Sequence, residues 1–330
     1  MSIVGNRLPL LVLGTLLTVA VSGQTPAPEE KKPAPPPLPL EFSRVKPDAV
    51  VYLSGPHVMS ATADALWVLN RAAGTAVRVE AKSSQVAQVI AVGKEPCAGA
   101  VSGFGSLWVG LCGVPGLARV ELKTGAVTAT IKTGVLGEPG TIASASSSIW
   151  LVTDAEGTIA RFDPAANAAV AEMYVAAGTN RMVFGQGALW TTSPSANQVG
   201  RINPVTNLLV ETVKAGKAPA SVAVGEGGVW VLNQGDGTVS RVDTKTNKVA
   251  ETIKIGAVPA GGEIAAGEGS VWVSAPGTPL IRIDPRINAV AQRFTGAGGG
   301  ALVVAHGSVW VVAGANEIWR LDPKRVEATR

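Results

Sequence analysis

Few side chains in this sequence could carry out acid–base, nucleophilic or metal chemistry. Its 330 residues include two His, His57 and His306, and two Cys, Cys97 and Cys112. His57 with Glu263 could serve as a general acid and base, and Arg181 could hold a carboxylate or phosphate. The alternative is that Arg181 and Glu263 pair with each other and His57 is only solvated. No metal is expected, because one His and scattered acids lack ligand spacing. No Gly-rich loop runs into Lys-Ser or Lys-Thr, which argues against a phosphate-binding P-loop. A Gly-x-Ser-x-Gly elbow with a suitably placed His is missing as well.

The elements that must position these residues are set by the Trp series. Trp67, Trp108, Trp150, Trp190, Trp230, Trp272 and Trp310 recur roughly every 40 residues, and only Trp319 falls outside. Between them, short alternating runs rich in β-branched residues are bounded by Gly, Asn and Asp clusters, the pattern of strands and hairpins. The fifth repeat shows the unit: Ser221 to Val224, Val229 to Leu232, Thr238 to Asp243 and Lys248 to Ile255. The fold class is therefore all-β, a seven-bladed β-propeller of four-stranded blades. The seventh repeat supplies only three strands, at Ala301 to Val304, Val309 to Val312 and Glu317 to Leu321. Its missing outer strand matches Ala49 to Leu53, so the N-terminal strand is expected to close the last blade. Residues 49–330 form one propeller domain.

Before the propeller, Arg7 precedes the apolar run Leu8 to Val21, and small residues follow at Ser22 and Gly23. These are the parts of a cleaved signal peptide over residues 1–23. A membrane anchor would need about 18 to 20 apolar residues and would have to tolerate Pro9. No transmembrane segment is expected in the mature chain, which should reach the periplasm or be secreted. Residues 24–48 read as a Pro-rich linker, extended and weakly packed. Apolar residues at 46% exclude a disordered chain, and the 39 Gly have no period of three, which excludes collagen. A formal charge of +4, with bases and acids interleaved, gives no strong nucleic-acid signal.

Two repeated features read as architecture. The strand-two Trp should wedge between blades, burying on the order of 150–250 Å² each. An aromatic stack for sugars or quinones is the functional alternative. The third strand carries Arg78, Arg119, Arg161, Arg201, Arg241, Arg282 and Arg320. Two residues on lie Glu80, Glu121, Asp163, Asn203, Asp243, Asp284 and Asp322. Residues i and i+2 of a strand share a face, so each Arg is expected to pair with the acid or amide beside it.

Positions that differ between repeats should build a site. Lead-ins to strand one and loops after strand two share one rim of the central funnel. That rim gathers His57, Asn70, Arg71, Asp154, Asn180, Arg181, Asn233, Gln234 and Glu263. It is where a small ligand or a partner protein, of unknown identity, should bind. Cys97 and Cys112 lie symmetrically about the turn at Phe104-Gly105 and should face one another as a structural disulfide. A redox-active pair would more often show Cys-x-x-Cys.

The repeats resemble the bacterial YVTN-repeat propellers and the streptogramin B (virginiamycin B) lyase family. Trp67-Val68-Leu69-Asn70 and Trp230-Val231-Leu232-Asn233 look like the YVTN signature with Trp replacing Tyr. Gly157 to Pro164 and Asn197 to Pro204 look like the lyase family's third-strand repeat. The similarity spans about residues 49 to 325. Membership in the lyase family would imply Mg²⁺-assisted C–O elimination opening a cyclic depsipeptide, with His and Glu as acid and base. The Glu that often follows the aromatic dipeptide in lyase repeats is replaced by Leu69, Gly110, Val152, Thr192, Leu232, Ser274 and Val312. The sequence thus reads as an exported binding or interaction module without catalysis and without a cofactor. The alternative is a divergent lyase, which would need Mg²⁺.

Overall fold

The computed structural model describes Met1, Ser2, Gly5 and residues 37–55 and 58–329. The leader at 8–21 and most of the Pro-rich stretch lie outside the described residues. From Val58 onward the chain builds antiparallel meanders, each running from the funnel outward. Blade one comprises Val58–Ala61, Ala65–Asn70, Thr75–Glu80 and Val86–Ala91. Blades two to six follow the same plan, and the innermost strand of the seventh, Leu302–Ala305, packs beside that of the first.

Ring closure is as expected. Ala49–Tyr52 pairs antiparallel with Glu317–Leu321, Val51 facing Ile318, and completes blade seven as its outer strand. Blade six departs from four strands. Leu40–Glu41 adds to its outer edge in parallel, beside Phe294 and Thr295. Phe42 follows, buried against Phe294 and stacked on Trp319 with ring centroids 4.9 Å apart. Trp319, the one Trp outside the series, is thereby accounted for. Packing begins at Leu40 and not at Ala49, so the last part of the stretch expected to be loosely packed is held by an aromatic anchor.

All seven series Trp side chains are fully buried in clusters that join strands of neighbouring blades. No face of these rings is left to stack on a ligand. In blades two to six the indole Nε1 donates to the carbonyl five residues earlier, at 2.9 to 3.2 Å. In blades one and seven, on either side of the closing seam, Trp67 and Trp310 have no such acceptor.

The Arg pairing differs from the expectation. Each Arg lies directly across the ladder from its own blade's Trp. In blades two to five and seven the guanidinium sits over that ring, 5.0 to 5.5 Å from its centroid. It then reaches the next blade: Arg119 donates to Asn167, Arg161 to Asn207, Arg201 to Asn247 and Arg241 to Asn288, at 2.7 to 3.0 Å. Arg320 closes the circuit by donating to Ser84 Oγ and the Lys82 carbonyl of blade one. Meanwhile the residue at i+2 turns to its own backbone. Asp163, Asn203 and Asp243 each accept two N–H groups of the following turn. The N–H groups of Thr246 and Lys245 hold the Asp243 carboxyl below the usual carboxylate range. Only Arg78, in blade one, pairs with its i+2 neighbour Glu80, and with Asp64 as well. Arg282 would need a turn that blade seven lacks, because the helix Pro323–Ala328 follows its third strand directly. It pairs instead with Ser270, Gln292 and Glu327.

The hairpins between strands one and two explain one class of Gly. Five blades turn on a two-residue loop whose second member is Gly105, Gly187, Gly227, Gly269 or Gly307, with both members at positive φ. Blade three uses Ser146 and Ser147 at φ 45° and 47°. A left-handed non-Gly residue costs about 1–2 kcal/mol. Ser147→Gly is therefore expected to stabilise the protein by about 1 kcal/mol, read as a higher denaturant midpoint with an unchanged slope. A lower midpoint would show that the turn is not strained.

Candidate functional site at the funnel rim

The inner strands place three side chains in register. Arg181 of blade four, Ser221 of blade five and Glu263 of blade six each lie nine positions before their blade's Trp. Arg181 Nη2 donates to Glu263 Oε1 at 2.8 Å, across the intervening blade. The other carboxylate oxygen accepts from Ser221 Oγ at 2.9 Å. Arg181 Nη1 donates to the Asn180 carbonyl at 3.1 Å, while the Asn180 side chain accepts from Thr192 Oγ1. The Arg181 side chain is 10% exposed and that of Glu263 is 23% exposed. On blade three a Cβ at Gly140 would stand 2.8 Å from Arg181 Cδ, so only glycine leaves room for the Arg stem to pass.

Of the residues expected on the rim, the structure joins Asn180, Arg181 and Glu263. His57 lies outside the described residues, so its pairing with Glu263 is without a geometry. Asn70 folds its own loop, accepting from the Ala73 N–H and donating to the Ser54 carbonyl. Arg71 pairs with Glu95 at 3.4 Å beside an open groove of about 670 Å³ that Lys94 also lines. Partial burial pushes the Asp154 carboxyl up, but hydrogen bonds from Thr158 and its neighbours outweigh that and hold it below the usual range. Gln234 donates to the Pro259 carbonyl.

Asn233 is not a rim residue. It is fully buried inside blade five, donating to Thr238 Oγ1 and Ser240 Oγ. Ser221 was not among the expected residues, although the nine-residue offset that selects Arg181 and Glu263 also selects it.

Cys97 and Cys112 form the expected disulfide, with Cα atoms 5.9 Å apart. The strand ladder is symmetric about the turn as far as Ala100↔Val109, then shifts by a bulge to Pro96↔Leu111. The bridge spans this irregular stretch. Closing a loop of 15 residues is worth about 3 kcal/mol in the chain-entropy model.

Mg²⁺, which the lyase likeness would imply, does not fit these residues. Among those described, no three His, Cys, Asp or Glu side chains gather where they could hold a metal ion. The funnel carboxylate of Glu263 already has a cation and a hydroxyl as partners.

No family model matches the chain, and no curated protein does. Solved structures match it well in shape. A streptogramin B lyase structure shares 21% identity at a TM-score of 0.69, over 82% of this chain and 94% of that one. A catalytically inactive virginiamycin B lyase from Staphylococcus aureus with quinupristin shares 16% at 0.71, over 83% and 99%. BamB from Moraxella catarrhalis shares 13% at 0.61, over 82% and 86%. At such identities the likeness is one of fold. The chain is a seven-bladed β-propeller related in fold to the virginiamycin B lyases.

Proposed function

We propose that this propeller is an exported binding or interaction module, working from the funnel rim in the periplasm or outside the cell, without catalysis. The observation that carries this reading is the engagement of Glu263. A general base must lie within hydrogen-bond reach of the proton it takes, and here the carboxylate of Glu263 is turned to its neighbours in the ring, one oxygen on Arg181 and the other on Ser221. Export is supported by the leader seen in the sequence and by the Cys97–Cys112 disulfide, a bond that persists in oxidising compartments. Among the described residues no helix is long and apolar enough to cross a membrane. The divergent lyase is the second reading, favoured by the fold likeness.

Native mass spectrometry of the protein purified from its own source is the test. A bound small molecule or partner is expected, and the double variant Arg181→Gln/Glu263→Gln should release it. Retention of the same species by that variant would place binding away from the funnel and overturn the reading.

A further inference from the structure

The funnel pair is incompletely satisfied, and the missing bond indicates a ligand class. This inference rests on the binding reading above and deepens it. The seven positions nine residues before each Trp are Val58, Gly99, Thr141, Arg181, Ser221, Glu263 and Ala301, so charge enters this layer only from blades four and six. A guanidinium edge binds a carboxylate best through two parallel N–H···O bonds. Arg181 makes one of them, through Nη2. Its Nε–H, on the same edge, is buried with no partner, while Glu263 turns its second oxygen to Ser221. A buried donor without an acceptor is unfavourable, because it has given up its water and gained nothing in return. Two residues before Glu263 the chain leaves room: a Cβ on Gly261, leading into blade six, would meet only Pro276, at 3.9 Å.

We propose that the Arg181–Glu263 pair is the seat of a small zwitterion of the α-amino acid type. The ligand carboxylate occupies both Nε and Nη2 of Arg181. The ligand ammonium takes the carboxylate of Glu263, which Ser221 keeps in place. A simple anion would displace Glu263 and leave its charge unpaired beside the new one. A simple cation would do the same to Arg181. Removing the partner of a buried charge is strongly unfavourable. Only a ligand with opposite charges on neighbouring groups exchanges for the internal ion pair one for one, and it also satisfies the orphan Nε–H.

Calorimetric titration of the mature protein with glycine, L-alanine, acetate and methylamine tests this directly. Glycine or L-alanine is expected to bind, with acetate and methylamine weaker by about tenfold or more, a difference of roughly 1.4 kcal/mol. Glu263→Gln should weaken amino acid binding by about tenfold and strengthen acetate, since the competing internal carboxylate is gone. The double variant Arg181→Gln/Glu263→Gln, which leaves no lone charge, should melt like the parent and bind none of the four. A folded parent that takes neither amino acid, or takes acetate equally well, overturns the proposal. A non-zwitterionic ligand seen by native mass spectrometry and released by the double variant would overturn it too, yet leave the binding reading standing. Catalytic turnover of a depsipeptide would overturn the binding reading instead.

Discussion

Removing residues 49–55 is expected to destabilise the whole ring, not merely to trim its edge. Ala49–Tyr52 supplies the full outer ladder of blade seven, and Val51 is buried against Ile318 in the cluster that joins blades seven and one. The Leu53 N–H adds a bond to the Asn316 carbonyl just past the strand. Without this strand, Glu317–Leu321 becomes an open edge and Ile318 loses its cover. That edge also positions Arg320, whose bonds to Lys82 and Ser84 tie the seventh blade to the first. Burying one Val or Leu side chain is worth about 1.5–3 kcal/mol. With the ladder bonds included, the loss is on the order of 5 kcal/mol. For a domain of this size each kcal/mol moves the melting temperature by about 2–4 °C, so a fall of about 10 °C or more is expected by calorimetry. An unchanged melting temperature would show that the ring does not depend on its clasp.

The Trp series provides the second large effect and an internal control. Trp230→Ala is expected to cost about 3–5 kcal/mol, through the cavity it leaves between blades five and six. It also removes a hydrogen bond to the Gly225 carbonyl and the ring beneath Arg241. A subtler comparison separates the hydrogen bond from the packing. Trp230→Phe keeps most of the buried surface and loses the Nε1 bond, worth about 1 kcal/mol. Trp67→Phe loses no such bond, because Trp67 Nε1 has no acceptor, and even relieves an orphan donor. Denaturant titration should therefore show Trp67→Phe to be the milder change by at least about 1 kcal/mol. Equal costs at the two positions would mean that packing alone holds these rings.

What the sequence showed and what it hid divide along physical lines. The spacing of the Trp residues made the ring legible, because every blade must present the same bulk at the same place to pack against its neighbour. The clasp was legible since three strands at one end and one at the other make a whole blade. The disulfide could be found from symmetry about a turn. Arg partners could not, because the contest between i+2, cross-strand and inter-blade acceptors is decided by reach across a gap that has no sequence pattern. Arg119 finds Asn167 nearly fifty positions away. The parallel addition of Leu40–Glu41 was equally hidden, since two residues are too short for any alternation and Phe42 stands among prolines. At the rim, Asn233 looked like loop because of its type, yet it ends a strand and faces the blade interior, where Thr238 and Ser240 meet it.

The rim is expected to bind without turning over, and one assay tests this most directly. Mature protein is incubated with a streptogramin B and Mg²⁺, and the depsipeptide is followed by mass spectrometry beside a Glu263→Gln control. Intact cyclic depsipeptide in both samples is the expected result, because Glu263 is bound on both oxygens and no metal cluster forms among the described residues. Linearised product in the parent, lost in Glu263→Gln, would contradict it and make this propeller a lyase that frees its base when substrate arrives.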